Sequence, residues 1–246
     1  MTKLFTHPFV FILIVIGDLI GRAINSQTLD YIFKPLLMPW LLGYFLVQIS
    51  KHRLQNQPPS DGRAFTRGIV WALVFSWLGD VSLMLVSQND LFFMIGLGNF
   101  LIAHVFYGWA YHRSVMLSPT SGYIVRKPFW ILPFLLLGTG LYLYLLPSLQ
   151  DLAVPVAIYA TTIVLMGIFA LNRKGTTNTT SYQYIFWGAL IFILSDSCIA
   201  INKFVTPLPQ AGLIIMITYI AAQYLIVRGS LKFLVFSSPQ STVHSP

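Results

Sequence analysis

Residues 129–147 read FWILPFLLLGTGLYLYLLP, nineteen positions without a charge, and residues 213–219 read LIIMITY. Neither stretch alternates apolar with polar side chains, as the strands of a membrane β-barrel must. An unalternating apolar run of about 20 residues has the length of a helix that crosses a hydrocarbon core roughly 30 Å thick. Lipid offers no partner to an open backbone N–H or C=O, so such a segment satisfies its own backbone as a helix. Reading outward, with charges and Pro/Gly clusters as punctuation, gives eight candidate spans: 8–24, 34–50, 67–86, 92–112, 129–147, 152–171, 182–202 and 208–228. The first is interrupted by Asp18 and the second is short. The predicted fold is all-α, a polytopic membrane protein with one eight-helix transmembrane domain over 1–236. Residues 237–246, rich in Ser and Pro, read as a disordered polar tail.

Composition agrees. Of 246 residues, 56% are hydrophobic and 9% charged, where a soluble domain carries roughly 25% charge. A soluble enzyme, a disordered chain and a disulfide scaffold are excluded, the last because Cys198 stands alone. Fifteen Lys and Arg against seven acids, all of them Asp, would suit a nucleic-acid-binding protein. A mean hydropathy of +0.73 would not, and no nucleic-acid partner is expected. Lys3 and the apolar run after it resemble a signal peptide, but no small-x-small cleavage site follows, so the run reads as a retained first helix.

With the amino terminus inside, Lys3, Lys51, Arg53, Arg63, Arg67, Arg113, Arg126, Lys127, Arg173, Lys174, Arg228 and Lys232 fall on the inner side. Only Arg22, Lys34 and Lys203 fall outside. That bias predicts both termini cytoplasmic. It also hides the sequon Asn178-Thr179-Thr180 from lumenal glycosylation. Residues 51–66, with Pro58-Pro59-Ser60-Asp61-Gly62, read as a polar loop. Leu78-Gly79-Asp80 and Leu194-Ser195-Asp196 are 116 residues apart, as are Gly96 and Gly212. A parallel repeat of two four-helix halves would produce this; so would chance likeness between apolar helices.

Ionisable groups inside spans mark function by default. Asp18, Asp80 and Asp196 each lie about six residues from the outer end of a span, or roughly 9 Å at a rise of ~1.5 Å per residue. Asn99 falls in the same layer, and Lys34 opens the second span just above it. The layer predicts one outward-facing cavity. For each aspartate the alternative is a packing role, a hydrogen bond to a neighbouring helix. Deeper, His104, Tyr107 and Tyr111 share a face of the fourth span, and Tyr219 and Gln223 are four apart in the eighth. His104 reads equally as a proton relay or head-group ligand and as a neutral imidazole bonded to another helix. Aromatic residues near span ends, such as Trp40, Phe92, Phe93, Phe129 and Trp130, form an interfacial belt. No H-x-x-x-H, C-x-x-C, Gly-rich phosphate loop or G-x-S-x-G elbow occurs, so no metal or cofactor is expected and catalysis would be carboxylate chemistry.

In order, Lys34-Pro35-Leu36, Gly79-Asp80-x-x-Leu83, Phe93-x-x-Gly96, His104-x-x-Tyr107, Gly188-Ala189-Leu190-Ile191-Phe192, Ser195-Asp196 and Tyr219-x-x-Ala222-Gln223 run through the spans. This set resembles the YhhN-like lysoplasmalogenase family of integral membrane proteins, from about residue 30 to residue 229. Asp18 belongs to none of the motifs. The resemblance implies hydrolysis of the vinyl ether of a lysoplasmalogen, a lysophospholipid, to a fatty aldehyde and a glycerophospho-base. It implies Asp80 and Asp196 as the paired acids, with Asn99, His104, Tyr107, Tyr219 and Gln223 lining the pocket. Lys34, alone or with Arg22, would meet the substrate phosphate.

A vinyl ether is cleaved by protonating its β-carbon; water then attacks the oxocarbenium ion and the hemiacetal collapses. One protonated carboxyl and one carboxylate are needed, and low dielectric together with a like charge nearby allows a pair to divide so. Which aspartate takes which role is open in the sequence. Membrane lipids are the expected surroundings, and the compact chain suggests a bacterial inner membrane. The rival readings are a proton- or cation-coupled transporter using the same aspartates and a non-catalytic lysolipid-binding family member. An intramembrane aspartyl protease would need Tyr-Asp and Gly-x-Gly-Asp, where Trp77-Leu78-Gly79-Asp80 and Leu194-Ser195-Asp196 stand here.

Overall fold

The computed structural model describes residues 8–55 and 62–236. Its regular structure is helical throughout: α1 (Pro8–Ala23), α2 (Gln27–Gln55), α3 (Gly62–Met84), α4 (Leu91–Met116), the single turn α5 (Tyr123–Arg126), α6 (Leu132–Leu149), α7 (Ala153–Asn172), α8 (Thr179–Phe204) and α9 (Ala211–Phe236). Short 3-10 turns at Pro128–Ile131 and Gln150–Leu152 flank α6. Each predicted span therefore falls on a helix, but six segments, not eight, are long and apolar enough to cross a membrane. Helix α1, with 16 residues, is not among the six, and α6 and α7 lie within one apolar stretch, Pro128–Asn172. That stretch is broken where Gln150 takes a positive φ of 46°.

Helix α2 begins seven residues before the predicted start and carries Pro35 and Pro39 inside it. Proline has no N–H to give the carbonyl four residues back, so Pro39 releases the carbonyl of Pro35. Trp77 of α3 takes it up, its indole N–H donating to Pro35 O at 3.0 Å. The predicted loop 51–66 is shorter than expected, since α2 runs to Gln55 and α3 starts at Gly62; its tip, like residues 237–246, lies outside the described residues.

The longest seams join α8 to α9 and α3 to α4. Helix α4 also packs on α7, α7 on α8, and α9 on α2 and α3, which closes a ring. Helix α1 lies against α2 and α9, and α6 against α7 and α8. Leu135, Leu136 and Leu143 of α6 are exposed while Phe134, Leu145 and Leu149 are buried. An apolar outer surface of that kind suits lipid on the outside.

Candidate active site

Helices α3 and α9 run antiparallel and meet through two polar pairs one turn apart. Tyr219 O–H donates to Asp80 Oδ2 at 2.8 Å, and Gln223 Nε2 donates to Ser76 Oγ at 3.0 Å. The i, i+4 spacing places both members of each helix on one face. Tyr107 of α4 closes this network by donating to Gln223 Oε1 at 2.5 Å. From α2, Lys34 Nζ lies 3.9 Å from Asp80 Oδ1. Both oxygens of Asp80 thus face donors, and the residue is 2% exposed.

Asp196 of α8 is held differently. Tyr159 of α7 donates to its Oδ2, and His104 Nε2 of α4 stands 3.6 Å from the same oxygen. No cation pairs with Asp196 among the described residues. The His104 ring is fully buried and is packed edge-on by Tyr159 and Phe192, at centroid distances of 5.4 and 4.8 Å. Asp196 and Tyr159 sit in the wall of an apolar cleft formed by α4, α6, α7 and α8, with Leu83 of α3 at its edge. Phe100 lines that cleft and also stands edge-on to Tyr219 at 5.8 Å, so one ring joins the cleft to the partner of Asp80.

The two depth layers read from the sequence therefore interlock: Tyr219 and His104 reach up to the aspartates. Tyr107 and Gln223 act one turn away, on Ser76. Two expected pocket residues have partners of their own. Asn99 Nδ2 returns to Ile95 O at 3.0 Å on its own helix, and Lys34 lies within α2 and is turned to Asp80. Asp18, fully buried, pairs with Arg22 at 3.3 Å, and Arg22 reaches Asp30 at 3.9 Å. Arg22 is thereby engaged by carboxylates. Arg173, counted as an inner loop charge, is fully buried. It donates to Ser114 and Ser181 at 2.8 and 2.9 Å. Sequence reasoning missed Tyr159, Ser76 and Phe100; a tyrosine and a serine in apolar spans were the available signals. Among the described residues no three His, Cys or Asp side chains group as a metal cage.

Fold and site together define a multi-pass helical membrane protein that buries two aspartates, one of them in the wall of an apolar cleft. The chain belongs to the YhhN family, whose model matches residues 29–230. It is 35% identical over 176 residues to lysoplasmalogenase TMEM86B of Homo sapiens, covering 71% of this chain and 67% of that protein. The Sus scrofa protein of that name is 34% identical over 67% of this chain and 64% of its own length. A lysoplasmalogenase of Mycobacterium bovis is 30% identical over 66% and 60%. The alignments thus span about two thirds of the curated relatives, or slightly less. No solved structure matches significantly.

Proposed function

We propose that this chain is a lysoplasmalogenase, an intramembrane hydrolase that releases a fatty aldehyde from the vinyl ether of a single-chain phospholipid by aspartate acid/base catalysis. The observation that carries the reading is Asp196 in the wall of an apolar cleft, with Asp80 on the far side of a shared aromatic contact. A lipid chain needs the first feature, and general acid–base chemistry needs two carboxyls at one centre. The family relatives named for this activity support it.

The cleft has about 60 Å³ of free space, less than an alkyl chain fills. Substrate entry therefore separates its walls. Helix α6 is the wall that moves in this reading, because it packs chiefly on α7 and α8. Eight crossings with both termini on the cytoplasmic side, in the plasma membrane of a bacterium, complete the proposal. So does a parallel repeat: Tyr107 and Gln223, bonded to each other, are 116 residues apart like Asp80 and Asp196. Equivalent residues of two halves meet in this way at a two-fold axis.

Purified protein is offered a lysoplasmalogen beside its ester-linked lysolipid. Aldehyde from the first and no fatty acid from the second is the expected result. Asp80→Asn and Asp196→Asn should each lower aldehyde release by roughly 10²–10⁴-fold while unfolding cooperatively on heating. Full activity in both variants, or lysolipid binding without turnover by the unaltered protein, would refute the reading.

A further inference from the structure

The two aspartates differ in two respects that the sequence does not show. Both oxygens of Asp80 are engaged, Oδ2 by the Tyr219 hydroxyl at 2.8 Å and Oδ1 by the Lys34 ammonium at 3.9 Å. At Asp196, Tyr159 and His104 both address Oδ2, and Oδ1 accepts no hydrogen bond among the described residues. An oxygen facing only donors cannot itself carry the acidic proton toward a substrate, whereas an unengaged one can. The surroundings differ too. Asp196 faces apolar side chains of the cleft, while Asp80 adjoins the charged group of Lys34, Asp18, Arg22 and Asp30 on α1 and α2.

A lysoplasmalogen has a fixed polarity. Its hydrocarbon tail hangs on C2′ of the alkenyl chain; C1′ bears the ether oxygen, and beyond that come glycerol and the phosphate head. With the tail in the cleft and the head toward the charged group, C2′ meets the cleft-side carboxyl and C1′ meets the other. Leu83, one turn beyond Asp80 on α3, also lines the cleft, so the two carboxyl positions lie along one path.

On the strength of the function proposed above, we propose that Asp196 is the acid that protonates C2′ and Asp80 the base that takes a proton from the water attacking C1′. The Asp196 carboxyl gives its proton from Oδ1 to C2′, and the C1′–O unit becomes an oxocarbenium ion. Water adds to C1′ and its proton passes to the Asp80 carboxylate. In the hemiacetal so formed, the C1′–O(glycerol) bond breaks, and the glycerol oxygen takes the proton from Asp80. The C1′ hydroxyl proton returns to Asp196. Both residues regain their starting states, and one water has been consumed. Tyr159 is a positioning residue: by holding Oδ2 it turns Oδ1 to the cleft.

The test is the pH dependence of kcat/KM for aldehyde release by purified full-length protein. The groups facing Asp196 are Tyr159, His104 and, more distantly, Asp80; those facing Asp80 are Lys34, Tyr219, Asp18, Arg22 and Asp196. A required acid makes activity fall at high pH, and a required base makes it fall at low pH. The unaltered protein should show both limbs. Asp196→Asn should lose the alkaline fall and keep the acidic one, and Asp80→Asn should do the reverse. Tyr159→Phe should lower kcat and displace the alkaline limb alone. A second measurement covers turnover too slow for a profile. A substrate methylated at C1′ forms its cation more readily and should restore Asp196→Asn by a larger factor than Asp80→Asn. Exchanged or identical profiles, or a larger gain for Asp80→Asn, overturn the assignment alone. Full activity in both aspartate variants overturns it together with the active-site reading.

Discussion

Lys34 and Arg173 are both cations taken out of water, and they are held in opposite ways. Lys34 is 7% exposed and has the Asp80 carboxylate beside it. Arg173 has no carboxylate partner among the described residues. Its guanidinium lies between two serine hydroxyls and the rings of Phe65, Tyr111 and Phe233, 5.4–5.9 Å from their centroids. Removing one member of a buried ion pair leaves the other uncompensated, at a cost of about 3–5 kcal/mol. Lys34→Met should therefore lower the thermal unfolding midpoint markedly, and Lys34→Met with Asp80→Asn should recover part of the loss. If the double variant unfolds below the single one, the pair is not the source of the effect. Asp80 was legible in the sequence as a costly intramembrane charge and Lys34 as a cation at the outer end of the second span; that they neutralise each other was not, because their helices are brought together by packing. The burial of Arg173 was not legible for a related reason. An arginine at a span end ordinarily extends to water, and only the closing of α4, α8 and α9 over it prevents that.

At the scale of helices, the α8–α9 seam explains several of the motif residues. Every seventh residue of α8, Ser181, Gly188 and Ser195, faces every seventh residue of α9, Gly229, Ala222 and Ile215. Small side chains at that spacing allow two backbones to approach within a membrane, where no hydrophobic force drives them together. Both serines use the proximity, donating to the carbonyls of Gly229 and Ile215 at 2.8 and 3.1 Å. A Cβ on Gly188 would stand 3.0 Å from the Ala222 carbonyl oxygen and 3.1 Å from the Ile226 amide nitrogen. Backbone atoms cannot turn aside as a side chain does. Gly188→Ala should thus force the helices apart and cost about 1–3 kcal/mol, read as a lower unfolding midpoint. Gly79 is constrained from another side: its Cβ would meet the Phe100 ring at 2.7 Å, next to Asp80. Gly79 and Gly188 were visible in the sequence as motif residues; what they touch was not.

Over the whole molecule, the ring of helices brings α2, α3 and α9 to Asp80 and α4, α7 and α8 to Asp196. The helix ends carrying Arg22, Gln88 and Lys203 belong to the outer side in the proposed topology, and those carrying Thr120 and Lys174 to the inner side. Gln88 and Thr120 are exposed. In a Cys198→Ser background, Gln88→Cys should react with an impermeant thiol reagent added to intact cells. Thr120→Cys should react only after the membrane is opened; the opposite pattern would invert the chain.

The scarcity of charge determined, without any coordinates, that this chain is a helical membrane protein and that Asp18, Asp80 and Asp196 are its costly carboxylates. Such inferences follow from what lipid forbids along a single helix, an uncompensated charge or an open backbone group, and each residue carries that information itself. The division of partners was decided by the tertiary structure: Lys34 and Tyr219 to one aspartate, Tyr159 and His104 to the other. So was the return of the Asn99 amide to its own helix. In lipid a helix has no single solvent-facing side to reveal its orientation, and which groups meet depends on how the small residues of neighbouring helices allow them to pack.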